Sequence, residues 1–138
     1  MTKRVIFWVV AVFFAGLANA GEFVTANYGN TKVKDFQDLV TRDFTARFPA
    51  DSWELFIYSE AFTMSRSGQA ICNAIVGVVP KGGHQFPRRQ FKMTKTATVK
   101  PGRWNEAEAL DFETECVRAA IDNMMTTDLA TVYRAHSN

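Results

Sequence analysis

The first twenty residues limit how much of this chain can fold into a domain. Met1–Arg4 carries two positive side chains, Val5–Phe14 is an unbroken apolar run, and Ala18–Ala20 has the small-x-small pattern that signal peptidases cut. These are the three parts of a secretory signal peptide. The apolar stretch is shorter than the roughly 20 residues that a membrane-spanning helix needs. We therefore expect cleavage after residue 20, no transmembrane anchor afterwards, and one periplasmic or secreted domain over Gly21–Asn138.

Cys72 and Cys116 are the two cysteines of the chain. In an oxidising compartment a lone pair of this kind is typical of a structural disulfide, which is the prediction here. The alternatives are a redox-active pair, a metal site and two free thiols. The spacing is not Cys-x-x-Cys, and His84 and His136 complete a poor zinc ligand set. We accordingly expect no metal site and no cofactor.

The segment after residue 30 has the periodicity of an amphipathic helix. Thr31 is a candidate N-cap, and Pro49 ends the segment because the residue before a proline avoids helical geometry. Apolar residues recur between them at steps that place them on one helical face. They are Val33, Phe36, Leu39, Val40, Phe44 and Phe48. The sequence predicts one helix here, with this stripe in the core.

Three strands and a second helix follow. The strands are predicted over Trp53–Met64, Gln69–Val79 and Arg88–Val99, and the lead-in of the mature chain has a further candidate at Glu22–Thr25. In the third strand Phe91, Met93, Ala97 and Val99 alternate with polar residues, as in a half-exposed antiparallel strand. Asn105 with Glu108 resembles a capping box. The helix that it begins is predicted to run to about Tyr133, with Leu110, Val117, Ile121 and Met124 on its buried face. A break or bend at Thr126–Asp128 is the alternative.

The element order predicts an α+β domain of two layers. Short connections between the three strands favour an antiparallel meander, with two helices packed on one face. The topological alternative is a cystatin-like helix wrapped by a longer sheet. The same element order occurs in the double-stranded-RNA-binding fold, but no motif carries that resemblance, and export argues against nucleic acid as a partner.

The chain is poorly supplied with catalytic groups. A serine or cysteine nucleophile needs a base within hydrogen-bond reach. Of the two histidines, His84 lies in a glycine-rich loop and His136 is the third residue from the end. No phosphate-binding glycine motif, zinc-protease motif or calcium loop is present. Catalysis by paired carboxylates stays open as the alternative, because any two of the fourteen acidic residues could meet in space. We assign no catalytic residue.

Charge is distributed unevenly along the sequence. Removal of Lys3 and Arg4 leaves 14 basic and 14 acidic side chains, so net charge identifies no partner. Between Glu60 and Glu106, however, there is no acidic residue and there are eight basic ones. Six of these form the predicted partner-binding surface: Arg88, Arg89, Lys92, Lys95, Lys100 and Arg103. Alternation places Arg88 and Lys92 on the polar side of the third strand, whereas Arg89 and Lys95 share the parity of Phe91.

Two functional interpretations follow. The first is an exported, non-catalytic binding, inhibitor or accessory protein whose basic sheet surface meets an anionic protein, a cell-wall polymer or a lipid surface. In the simpler interpretation of the same charges, lysine and arginine only cover an exposed sheet face and protect an edge strand. The second functional interpretation is a small secreted hydrolase or toxin that uses paired carboxylates. The sequence does not specify an oligomeric state.

Overall fold

The computed structural model describes residues 25–29, 36–64, 66–83, 85–100 and 104–127, and for 25–29 it describes the backbone. The elements in chain order are strand β1 (Thr25–Gly29), a 3-10 turn (Gln37–Leu39), helix α1 (Arg42–Arg47), strands β2 (Trp53–Met64), β3 (Gln69–Pro80) and β4 (Phe91–Thr98), and helix α2 (Glu106–Thr126). The expected signal peptide lies outside the described residues.

The described strands form a four-stranded sheet in the order β1-β2-β3-β4. β2, β3 and β4 are antiparallel neighbours, so the predicted meander is confirmed. β1 pairs in parallel with β2, from Thr25 opposite Leu55 to Gly29 opposite Ser59. It adds a fourth strand to the three of the predicted meander and shares only Thr25 with the candidate strand at Glu22–Thr25, whose other residues lie outside the described ones. β4 is shorter than predicted, since it begins at Phe91 rather than Arg88.

The prediction of one continuous helix before β2 is wrong over residues 36–48. The chain makes a short 3-10 turn, becomes extended at Val40, and starts again as α1 with Thr41 as its N-cap. The Thr41 hydroxyl accepts a hydrogen bond from the Phe44 N–H at 3.3 Å. A β-branched pair is a weak helix former, and threonine favours the cap position over the helix interior. The expected stripe still packs inward, because Phe36, Phe44 and Phe48 are all buried.

Helix α2 begins as predicted and ends earlier. Asn105 accepts from the Glu108 N–H at 2.9 Å while Glu108 accepts from the Asn105 N–H at 3.2 Å, which completes the capping box. The helix ends at Thr126, because Thr127 is extended, which is where the sequence left a break or bend open; the predicted continuation to Tyr133 lies outside the described residues. Leu110, expected on the buried face, is 41% exposed.

Both helices lie on the same side of the sheet, as predicted, and the layered arrangement replaces the cystatin-like alternative. α2 contacts β3, β4 and β2, and its buried stripe meets the inward positions of those strands. These inward positions include Leu55, Ile57, Ala74, Val76 and Phe91. Alternation along the strands leaves the other set of side chains on the opposite side, which we call the outer face.

Candidate functional site

The connection between β3 and β4 folds back against the outer face of the sheet. Pro87 is buried over Gly77 of β3, and the Phe86 ring tilts against Phe56 with 5.2 Å between ring centroids. Gly77 makes this approach possible: a Cβ at that position would lie 2.7 Å from the Arg89 carbonyl oxygen and would also overlap the Pro87 ring. Because residue 77 has no side chain, Pro87 and Arg89 can pack against β3 just before β4 begins.

The folded-back connection and the end of β3 enclose an apolar cavity of about 310 Å³. This volume is at the lower end of the range for small-ligand sites, which are mostly apolar with few polar groups. Its lining consists of Trp53, Val78, Val79, Pro80, Gln85, Phe86, Pro87 and Arg88. Among these described residues the single charged one is Arg88, and none is a carboxylate. The cavity therefore suits an apolar group that carries a negative charge, and it does not supply the paired acids of the hydrolase interpretation.

The polar side of β4 continues from this cavity along the outer face. Lys92, Thr94, Thr96 and Thr98 are exposed, while Phe91 is buried and Met93, Lys95 and Ala97 are half-buried toward α2. Arg88 is exposed at the start of this run. Within the described part of the chain neither Arg88 nor Lys92 has an ion-pair partner. These two charges are free to meet an anion from outside the molecule.

The other basic residues of the predicted surface are placed differently. Lys95 lies on the helix side, with its Nζ 3.3 Å from Glu115 Oε2 of α2, and the Arg89 guanidinium carbon lies 5.2 Å from the centroid of the Phe91 ring. Lys100 is exposed just after β4. Arg103 lies outside the described residues. The basic residues therefore do not share one sheet face; they surround β4 on both of its sides.

A chain of polar side chains crosses the outer face beside Lys92. Thr94 Oγ1 donates to Asn73 Oδ1 at 2.9 Å, Asn73 Nδ2 donates to Glu60 Oε1 at 3.4 Å, and the Tyr58 hydroxyl donates to Glu60 Oε2 at 3.1 Å. The hydrogen bond to the Glu60 carboxylate raises the pKa of Tyr58, because ionisation would place two negative charges side by side. The Glu60 carboxylate therefore accepts hydrogen bonds from the uncharged side chains of Tyr58 and Asn73 and does not pair with Lys92.

The two cysteines meet in the core between β3 and α2. Both are fully buried, they approach to 2.6 Å, and both are free thiols rather than the predicted disulfide. In its neutral form Cys116 donates to the Met93 carbonyl oxygen at 3.7 Å. The hydrogen bond from Cys72, helped by nearby Lys95, lowers the pKa of Cys116, while that bond and burial raise the pKa of Cys72.

A buried polar contact next to the thiols was not predicted from the sequence. Ser59 of β2 donates to Glu113 Oε1 of α2 at 2.7 Å, and both residues are buried. A signal was present in the sequence. Glu113 lies four residues before Val117 on the apolar stripe, and Ser59 shares the parity of Leu55 and Ile57, so each is a polar residue at a core position.

Other site types find little support in the described residues. No group of three or more histidine, cysteine, aspartate or glutamate side chains is arranged there to hold a metal ion. No helix in the described part of the chain combines the length and the apolar character needed to span a membrane. Comparison with known proteins found no matching family, no matching curated protein and no matching solved structure. The function must therefore be inferred from the geometry and the sequence of this chain.

Proposed function

We propose that this chain is an exported, non-catalytic binding protein that holds an anionic partner at its fourth strand. One observation carries the proposal: exposed Arg88 lies at an apolar cavity, and exposed Lys92 follows it on β4, neither with an ion-pair partner in the described residues. A partner that offers an apolar side group and flanking negative charge would fill the cavity and meet both cations. The apolar burial supplies affinity, and the charges supply steering and orientation.

The proposal includes export, which the three-part N-terminus supports. Mass spectrometry of the protein recovered from outside the cytoplasm is expected to give a chain that starts at Gly21. A chain that keeps Met1 or Thr2 and stays with the membrane fraction would contradict this part of the proposal.

We also propose that Cys72 and Cys116 form a disulfide after export. Each thiol loses one proton, and the pair passes two electrons to a disulfide-bearing oxidant by thiol–disulfide exchange, which forms the bond between the two sulfur atoms. The close approach of the two buried side chains supports this step, because little backbone movement is needed to reach disulfide geometry. The bond would join the first part of β3 to α2 and hold the helix layer against the strand that neighbours β4.

Charge reversal tests the binding proposal. Mature protein is titrated with three defined anionic probes: polyglutamate, an anionic glycerol-phosphate polymer of the cell-wall type, and vesicles of phosphatidylglycerol. We expect at least one probe to bind, binding to weaken as salt rises, and Arg88→Glu/Lys92→Glu to reduce affinity by roughly tenfold or more, equivalent to about 1.4 kcal/mol. Both positions are exposed, so the variant is expected to fold.

The matched control reverses two other exposed arginines, Arg42→Glu and Arg66→Glu, which changes net charge equally at positions away from the cavity lining. A loss of binding that is equal in both double variants would show a response to net charge alone and would contradict a site at β4. Failure of all three probes to bind the unaltered protein would overturn the proposal.

A further inference from the structure

The backbone of β4 has hydrogen-bonding groups that point away from the rest of the sheet. β4 is the last strand in the order β1-β2-β3-β4, and within the described residues nothing pairs with its far edge. The Val99 N–H donates to the Gly68 carbonyl oxygen at 2.7 Å, one step beyond the final pair of the β3–β4 ladder, Gln69 opposite Thr98. This bond fixes which residues of β4 bond to β3.

Bonded and non-bonded pairs alternate along an antiparallel ladder. Since residue 99 belongs to a bonded pair, the odd-numbered residues of β4 direct their N–H and C=O groups toward β3. The even-numbered residues direct theirs toward the open edge. These are Lys92, Thr94, Thr96 and Thr98, all exposed. These four alternate residues extend over most of β4, which is long enough to pair with another strand.

The basic side chains surround this same edge. Lys92 lies on the outer side of β4, Lys95 and Arg89 lie on the helix side, and Arg88 and Lys100 stand before and after the strand. A partner lying flat on either face would meet only part of the set. A strand placed alongside β4 would send alternate side chains to both sides and would meet cations on each. A partner at the open edge of β4 would therefore meet basic residues on both sides of the strand, whereas a partner on one sheet face would not.

We propose that the open edge of β4 pairs with an extended acidic segment of another protein, which adds a strand to the sheet. The inference rests on the proposed function and names the partner class and the mode of binding. Main-chain hydrogen bonds to the even residues supply affinity, and acidic side chains opposite Lys92 and Lys95 supply specificity. A second copy of this chain is the poorer occupant, because pairing two β4 edges would bring lysines of both copies together.

The first test separates backbone pairing from charge. The probe is a synthetic peptide of roughly eight residues in which pairs of glutamates alternate with pairs of threonines, so that both faces of the extended peptide carry negative charge. The second probe is the same peptide with an N-methyl group on every residue, which keeps every side-chain charge and removes the backbone N–H donors of both edges. We expect the N-methylated peptide to bind at least tenfold more weakly, since it loses several hydrogen bonds worth about 1 kcal/mol each. Amide hydrogen exchange should slow at residues 92, 94, 96 and 98 only with the unmodified peptide.

The second test alters the protein. Thr96→Pro removes an edge-facing N–H and leaves the ladder to β3 intact, the position at which proline is tolerated in an edge strand. Thr96→Ala keeps that N–H and serves as the matched control. We expect Thr96→Pro to lose peptide binding by roughly tenfold while Thr96→Ala changes it less than about twofold. Circular dichroism checks that both variants keep the fold.

The outcomes are distinguishable. Equal binding of both peptides, with no effect of Thr96→Pro, would overturn edge pairing while the charge-dependent proposal survives, and the lysines would then only protect the edge. Binding of polyglutamate without binding of the short peptide would likewise overturn edge pairing alone. If neither binds and the other anionic probes also fail, both proposals fall. Self-association of the protein that Thr96→Pro abolishes, with no response to the peptide, would identify a second copy as the occupant and overturn this inference.

Discussion

Pro87 lies directly over Gly77, in the space that any side chain at residue 77 would fill. The contact holds the connection between β3 and β4 against the outer face, where it shapes the apolar cavity and sets the start of the basic strand. Glycine is needed at residue 77 because Pro87 occupies the space of a side chain, and not because of the backbone dihedral angles of residue 77. Substitution of Gly77 tests this requirement.

Gly77→Ala is therefore expected to displace the connection. The added methyl group would overlap the Pro87 ring and approach the Arg89 carbonyl oxygen, and overpacking of this kind costs about 1–3 kcal/mol. Urea denaturation measures the loss. In a Trp104→Phe background the emission of Trp53, which lines the cavity, should shift to longer wavelength as water enters.

Pro87→Gly provides the control for this prediction. It removes the ring that an alanine at residue 77 would meet, so the Gly77→Ala/Pro87→Gly double variant should lose less stability than the sum of the two single variants. Unchanged stability and unchanged Trp53 emission in Gly77→Ala would contradict the proposed role of the contact.

The strands and the capped helix were predictable from the sequence because each of these elements agrees with its own local pattern. Trp53–Met64 was predicted with the bounds that β2 has, and Asn105 with Glu108 marked the start of α2. The first helix was mispredicted because a continuous apolar stripe does not reveal that Thr41 acts as a cap. The ion pair between Asp38 and Arg118 also joins the 3-10 turn to α2, and no local pattern reveals it because the two residues are far apart in sequence.

The candidate site was only half predictable. The acid-free interval identified the basic residues, but their division between the two sides of β4 depends on where Phe91 points and on Glu115 of a distant helix. The cavity could not be predicted, because it forms where Phe86 and Pro87 fold back onto β3. The packing of this connection on the sheet produces no periodic pattern in the sequence. Its one trace in the sequence is Gly77, which leaves room for Pro87.

The buried contact between Ser59 and Glu113 leads to a second prediction. Ser59→Ala removes the hydroxyl that donates to a buried carboxyl group, and loss of one such partner costs about 1–3 kcal/mol. Glu113→Leu together with Ser59→Ala replaces the contact with apolar groups and should recover part of that loss. Urea denaturation of the two single variants and the double variant measures the coupling. Strict additivity of the three values would contradict a direct interaction.

The cysteines provide a third prediction. Protein recovered from an oxidising compartment should react with thiol reagents only after reduction, and its mass should rise by two hydrogens when reduced. The bond would close a loop of about 45 residues, so reduction should lower the free energy of unfolding by roughly 3–4 kcal/mol. The Cys72→Ala/Cys116→Ala variant should show no response to reductant. Two reactive thiols in unreduced exported protein, unfolded to expose them, would rule out the disulfide.

The fourth prediction concerns acid. Arg118 Nη1 and Nη2 donate to the two carboxylate oxygens of Asp38 at 2.9 and 2.6 Å, and this paired hydrogen bonding lowers the pKa of Asp38 below its ordinary value of 3.8. A group whose pKa is lower in the folded state stabilises the fold most above its unfolded pKa, and that contribution is lost as pH falls through the folded pKa. Stability from this pair should thus be complete at neutral pH and should disappear only below the ordinary range of an aspartate.

Urea denaturation at several pH values, compared between the unaltered protein and Asp38→Asn, measures this contribution. We expect the variant to be less stable at pH 7, by an amount that shrinks as the pH falls below about 4 and vanishes once the carboxyl group is protonated in both states. An Asp38→Asn difference that stays constant from pH 7 to below about pH 3 would show that packing of the 3-10 turn against α2, rather than the charge on Asp38, joins these two elements.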